Sequence, residues 1–160
     1  MARKNKLRKF AEILAFPNVY ECYDVKQPSL TGAGMQTVDL KGKWKVQHFR
    51  NDHPITLELA CGGGEYTVGL ARQFPERNFI GVDIKGNRLW KGAKDALEQG
   101  IANAASSLVA VGLHRKFADK LLGQSYENLV KSPGRARDLD FSATIRASFQ
   151  PNKGVSHCVV

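Results

Sequence analysis

Ile55-Thr-Leu-Glu-Leu-Ala-Cys-Gly-Gly-Gly-Glu65 is an apolar run that carries one carboxylate, Glu58, and breaks into three consecutive glycines, Gly62, Gly63 and Gly64. Tyr66, Val68, Leu70, Ala71 and Phe74 are the apolar positions of the segment that follows, and Pro75 interrupts it. The spacing predicts a strand from Ile55 to Ala60, a glycine turn, and a helix from about Glu65 to Gln73. Such a turn lets backbone approach a nucleotide-like ligand closely. A second predicted strand, Asn78-Phe-Ile-Gly-Val-Asp83, ends in an acid about 20 residues beyond the glycines, the spacing of a carboxylate that binds ribose hydroxyls. Lys85 to Gln99 then offers Leu89, Trp90, Ala93, Ala96 and Leu97 as one face of a second helix. Strand and helix alternate, so the expected fold class is α/β with a Rossmann-like sheet.

The chain has 160 residues, room for one core. Its 42% hydrophobic and 24% charged content is that of an ordinary globular protein. No apolar run approaches the roughly 20 residues that span a bilayer, so no membrane role is expected. Cys22, Cys61 and Cys158 are too few and too scattered for a disulfide framework, and no metal site is expected; the default location is cytoplasmic. Net charge is +9 and unevenly spread. Residues 1–50 hold ten Lys/Arg against four acids, residues 51–103 six against seven, and residues 104–160 eight against four. Basic flanks around a near-neutral centre favour a polyanionic partner, nucleic acid first, over ordinary solubility charge.

Residues 2–9 read as a basic arm that is either a mobile tail or a phosphate contact, with Arg3, Lys4, Lys6, Arg8 and Lys9 as its cations. Phe10, Ile13 and Leu14 allow one helical turn before Pro17. Asn18 to Asp24 reads as an irregular aromatic segment. Residues 36–49 interleave Lys41, Lys43 and Lys45 with Val38, Leu40, Trp44, Val46 and Phe49, a pattern of weak strand character that fits a half-buried strand better than a nucleic-acid surface.

A carboxylate inside a strand buried on both faces needs a reason. Glu58 either pairs with a buried cation or stands at the strand's carboxyl end facing a cationic ligand. A dinucleotide site would require G-x-G-x-x-G, and here Gly62 and Gly64 are followed by Thr67 where the third glycine belongs. Glu65 also stands where a pyrophosphate would bind the helix N-terminus, which repels a polyanion. Glu58, Glu65 and Asp83 suit a ligand without phosphate, cationic, with a free ribose. S-adenosylmethionine meets that description.

Glu58-Leu-Ala-Cys-Gly62-Gly-Gly64 followed by Phe79-Ile-Gly-Val-Asp83-Ile-Lys85 resembles the cofactor site of the tRNA (guanine-N7)-methyltransferases. Asn5-Lys-Leu-Arg-Lys-Phe-Ala-Glu12, Phe16-Pro-Asn-Val-Tyr-Glu21 and Gly86-Asn-Arg-Leu-Trp-Lys-Gly-Ala-Lys94 resemble the same family, particularly its Bacteroidetes-like branch, so the resemblance covers roughly residues 4–103. It implies a Rossmann-like fold of the S-adenosylmethionine-dependent methyltransferases. Glu58 and Asp83 would bind the methionine moiety and ribose of the cofactor, with Gly62 and Gly64 shaping the loop beneath. The substrate would be tRNA, with the basic arm lying along it. The implied division is a basic N-terminal extension (1–50), a cofactor-binding core (51–103) and an atypical C-terminal segment (104–160).

After Asn103 the family pattern is lost. The strand, the acidic proline-containing motif and the further strands that the family would place here are not recognisable in residues 104–160. His114 to Val130 reads as one helix, and Ser132 to Val160 has no strong period. We therefore expect a sheet incomplete at its C-terminal side and an ending that is truncated or frame-shifted. No catalytic residue is assigned, since Asp138 and Asp140 match nothing. The alternatives are a catalytically inactive basic tRNA-binding remnant, another S-adenosylmethionine-dependent methyltransferase, and a dehydrogenase-like site. The oligomeric state is not legible.

Overall fold

The computed structural model of the chain describes the backbone of residues 2–124, 128–131 and 158–159, and the side chains of residues 5–124. The strands are β1 (Val19–Cys22), β2 (Leu30–Thr31), β3 (Thr37–Val38), β4 (Ile55–Leu59), β5 (Asn78–Asp83), β6 (Ala104–Val109), β7 (Asn128–Lys131) and β8 (Cys158–Val159). The α-helices are α1 (Ala2–Ile13), α2 (Glu65–Gln73) and α3 (Gly86–Glu98). One sheet runs in the order β3-β2-β1-β6-β5-β4-β7-β8. Every pairing from β1 to β8 is parallel, and β2 and β3 add an antiparallel edge.

The expected α/β, Rossmann-like sheet is therefore present. From β4 the chain steps through β5 to β6 on one side, then crosses to β7 on the other. Strand order reverses at β4, and the glycine turn leaves its carboxyl end. Open α/β sheets bind ligands at such a reversal.

All six residues of β5 and of β6 are buried, as a parallel sheet covered on both faces requires. Side chains alternate. Ile55 and Leu57 of β4 and Ile80 and Val82 of β5 join Trp44, Phe117, Leu121 and Leu122 on one face. Phe79 meets Tyr66, Leu70, Ala71 and Ala96 of α2 and α3 on the other. Glu58 alternates with Leu57, so it stands on the α2 face, in register with Gly81 of β5.

Several expectations are corrected. The basic arm is helical, because Ile13 is buried beside Leu89 and Ala93 of α3, and Trp90 Nε1 donates to Glu12 Oε2 at 2.9 Å. Gly86 gives α1 its approach, since a Cβ there would lie 2.9 Å from a ring carbon of Phe10. The aromatic segment after Asn18 is regular: Val19–Cys22 is β1, bonded along β6. The stretch 36–49 is a strand only at Thr37–Val38. It then forms a wide helical turn, Trp44–Phe49, closed by Arg50 in the left-handed region. Burial of the Trp44 indole drives that turn; its Nε1 donates to Leu121 O at 3.0 Å and its ring meets Tyr20 edge-on.

The loss of strand pattern after Asn103 is also corrected, because Ala104–Val109 is an interior strand of the sheet. His114 to Val130 is not one helix. It makes short turns at His114–Lys116 and Ala118–Leu122, stops at Gly123 (φ +63°) and resumes as β7. Gly123 approaches Gly42, where a Cβ would meet Gly42 N at 3.1 Å. The unpatterned stretch from Ser132 onward, with Asp138 and Asp140, lies outside the described residues, apart from the backbone of β8. No helix among the described residues is long and apolar enough to cross a membrane.

Candidate functional site

The carboxyl ends of β4 and β5 bring Glu58, the glycine turn and Asp83 together, as their spacing predicted. The chain leaves β4 through left-handed backbone at Ala60 (φ +59°), Gly62 (φ +60°) and Gly64 (φ +76°). Cys61 N–H donates to Val82 O at 3.0 Å and Gly64 N–H to Cys61 O at 2.9 Å, which hold the turn against β5. A Cβ on Gly62 would meet nothing within 4 Å among the described residues, which leave open space over the turn there.

Asp83 is buried, and both its oxygens are engaged. Oδ2 accepts from Gly62 N–H and Oδ1 from Lys85 N–H, each at 2.8 Å. The acid at the end of β5 thus ties the glycine turn to the start of α3. Each oxygen keeps a second lone pair for a ligand hydroxyl. Asp83→Ala should release these two amides and speed their hydrogen exchange at least about tenfold, since a charge-assisted bond contributes about 1.5–3 kcal/mol. Unchanged exchange at Gly62 and Lys85 would remove Asp83 from this role.

Glu58 is 3% exposed. Its Oε2 accepts from Thr67 Oγ1 at 2.5 Å, while Oε1 has no hydrogen-bond partner among the described residues. Burial pushes its carboxyl up to about 8, opposed by the Thr67 hydroxyl and backbone N–H and reinforced by the Glu65 and Asp83 charges. Cys61 beside it is likewise buried, and its thiol is held well above the ordinary range by burial and by the Glu58 charge. Burial of this kind disfavours the reactive thiolate. Among the described residues no cluster could hold a metal ion.

Glu65 also acts on Glu58 through its charge. It heads α2 and lines a cleft of about 330 Å³ between α2 and α3, together with Arg72, Lys91, Gly92 and Asp95. Of the predicted cations, Arg8 pairs with Glu12 at 2.5 Å and Lys9 lies over the Trp90 ring at 4.7 Å. Lys6 is exposed, and Arg3 and Lys4 are described by their helical backbone.

Sequence reasoning missed the part that three residues play in building the site: Thr67, read only as a departure from a third glycine, Gly81 and Gly92. A Cβ on Gly81 would lie 2.5 Å from Thr67 Oγ1 and 3.0 Å from Cys61 Sγ; one on Gly92 would lie 2.4 Å from Gly63 O. A glycine within an otherwise apolar strand was the available signal for the first, because it marks a close approach.

Residues 52–125 match a family model described as a putative methyltransferase. The tRNA (guanine-N(7)-)-methyltransferase of Christiangramia forsetii is 55% identical over 105 residues, covering 66% of this chain and 44% of that protein. The enzyme of the same name from Bacteroides thetaiotaomicron is 51% identical over 114 residues, covering 71% and 43%. The chain thus spans less than half the length of these curated relatives. A solved 30S ribosomal A1408 methyltransferase from an uncultured bacterium aligns with a TM-score of 0.48 and 22% identity, covering 61% of this chain and 46% of that one. Over about two thirds of its length this chain is similar to the tRNA (guanine-N(7)-)-methyltransferases.

Proposed function

We propose that the site at the ends of β4 and β5 binds S-adenosylmethionine, and that the chain serves methyl transfer to N7 of a guanine in tRNA. The observation that carries this reading is Glu58: a carboxylate buried beside the glycine turn, with one oxygen unpartnered among the described residues. A buried carboxyl with neighbouring acids, and with no cation beside it among the described residues, is poorly satisfied alone, and a cationic ligand offsets its desolvation. Asp83 has lone pairs left for ribose hydroxyls, and the open space at Gly62 leaves room for a ligand over the backbone of Gly62 and Gly64.

When bound, the cofactor supplies an electrophilic methyl group on a sulfonium. The residues of this chain bind and orient. Glu58 would face the methionine moiety, Asp83 the ribose, and Gly62 and Gly64 would underlie them. Guanine N7 is already a lone-pair nucleophile, so positioning matters more than a strong base. No catalytic residue is assigned. On this reading residues 51–103 form the cofactor-binding part and residues 1–50 the extension that faces nucleic acid. Lys6, Arg8 and Lys9 of α1, with Arg3 and Lys4, would contact tRNA phosphates. The α1 helix lies on α3, which begins three residues after Asp83. A tRNA substrate agrees with a cytoplasmic location.

The test is incubation with labelled S-adenosylmethionine and total tRNA, followed by nucleoside analysis. Label in 7-methylguanosine is the expected result. Label in a different nucleoside, or in protein with tRNA untouched, would mean another methyltransferase. Salt-sensitive tRNA binding with no label would mean a binding remnant, and affinity for NAD instead would mean a dehydrogenase-like site.

A further inference from the structure

We propose that Thr67 is a positioning residue. Its hydroxyl holds Glu58 Oε2 so that Oε1 alone is presented to the cationic part of the ligand, and Gly81 makes the room for it. The proposal rests on the S-adenosylmethionine reading of the site.

The third glycine of a dinucleotide-binding turn lets the helix pack closely on its strand. Thr67 occupies that position, yet the close packing survives because the missing Cβ has moved to β5. Gly81 is the register partner of Glu58. A Cβ there would lie 2.5 Å from Thr67 Oγ1 and 3.0 Å from Cys61 Sγ. Helix position 67 is thereby free to carry a side chain that reaches β4. The threonine is 2% exposed and β-branched, so its hydroxyl has few directions available.

Among the described residues the other titratable groups around Glu58 are Glu65 and Tyr66 on α2, Asp83 on β5 and Cys61 in the turn. None of these favours the ionised carboxyl. The donors that do are the hydroxyl and the backbone N–H of Thr67. A valine at 67 keeps shape and backbone donor and removes the hydroxyl. The carboxylate is then less favoured and free to turn.

The experiment compares Thr67→Val, Thr67→Ser and Gly81→Ala in the full chain. Carbon-13 NMR follows the Glu58 carboxyl titration without ligand, with its signal assigned by Glu58→Gln. Calorimetry follows S-adenosylmethionine affinity against pH. Thr67→Val should move the Glu58 titration to higher pH and weaken the cofactor roughly tenfold near neutrality, the loss of one hydrogen bond to a charged group. The affinity loss should shrink as pH rises and Glu58 ionises. Thr67→Ser should restore both readouts, and Gly81→Ala should reproduce the valine result by displacing the hydroxyl. If Thr67→Val does not fold, the contrast between Gly81→Ala and Thr67→Ser carries the same decision. A Glu58 titration unmoved by these variants, or not restored by serine, overturns the role of Thr67. Wild-type protein with no S-adenosylmethionine affinity overturns the cofactor reading instead, while the titration still decides the contact.

Discussion

Glu58→Gln is expected to stabilise the folded protein in mildly alkaline buffer and to weaken S-adenosylmethionine at least tenfold. The two effects have one origin. Burial raises the Glu58 carboxyl from an ordinary 4.5 to about 8. Between those values the folded chain keeps a proton that the unfolded chain has lost. Stability from this group is therefore fully present below the unfolded value and is lost as pH rises through the folded one. Every tenfold difference in proton affinity between the folded and unfolded chain corresponds to about 1.4 kcal/mol, so the loss is of the order of a few kcal/mol. Glutamine cannot ionise and avoids it, which should flatten the fall in melting temperature between mildly acidic and mildly alkaline buffer. The same neutrality removes the charge that a sulfonium or ammonium would meet. Wild-type binding should also release protons, read as a buffer-dependent enthalpy, and the glutamine variant should release fewer. A variant whose melting temperature tracks pH as the wild type does would show that Glu58 is not the group responsible. Equal cofactor affinity in the two proteins would remove Glu58 from the site. Stability sacrificed at one buried group is the pattern expected of a functional site.

The elements legible in the sequence are those whose signals are local. The run Ile55–Leu59, the triple glycine, Pro75 and the buried strand Asn78–Asp83 each announce themselves within a few residues, and the structure places them as read. The elements missed depend on distant partners. Ala104-Ala-Ser-Ser-Leu-Val109 has little apolar bulk, yet it is an interior strand because β1 and β5 flank it; Ser107 is wholly buried, and its Oγ donates to Tyr20 O at 3.3 Å. The Trp44 turn is fixed by Leu121, 77 residues away. Interleaved lysines around that tryptophan imitate a strand period, and nothing near position 44 reveals the pocket that receives it. Of the site, Glu58 and Asp83 stood out as acids in apolar strands. Thr67 stood out only as a missing third glycine, and Gly92 not at all, because the part each plays depends on a neighbour across the sheet or loop.

Gly92→Ala should be destabilising, although the same change in an exposed helix interior would be stabilising by about 1 kcal/mol. Gly92 lies within α3 where that helix crosses the glycine turn. An added Cβ would come 2.4 Å from Gly63 O, 3.0 Å from Gly64 Cα and 3.3 Å from Gly63 C. All three are backbone atoms, so no side-chain rotation relieves the clash and either α3 or the turn must move. Overpacking of this kind costs about 1–3 kcal/mol, which for a chain of this size lowers the melting temperature by roughly 2–4 °C per kcal/mol. Moving the turn also shifts Gly62 and Gly64 under the ligand, so cofactor affinity should fall by more than stability alone explains. Gly62→Ala is the informative contrast. It lies in the turn itself at φ +60°, but its Cβ would meet nothing within 4 Å. Its stability cost should be limited to the left-handed backbone, about 1–2 kcal/mol. Thermal melts and calorimetry on both variants measure the difference. If Gly92→Ala were as stable as the wild type, with cofactor affinity unchanged, the contact between α3 and the turn would not be what shapes the site.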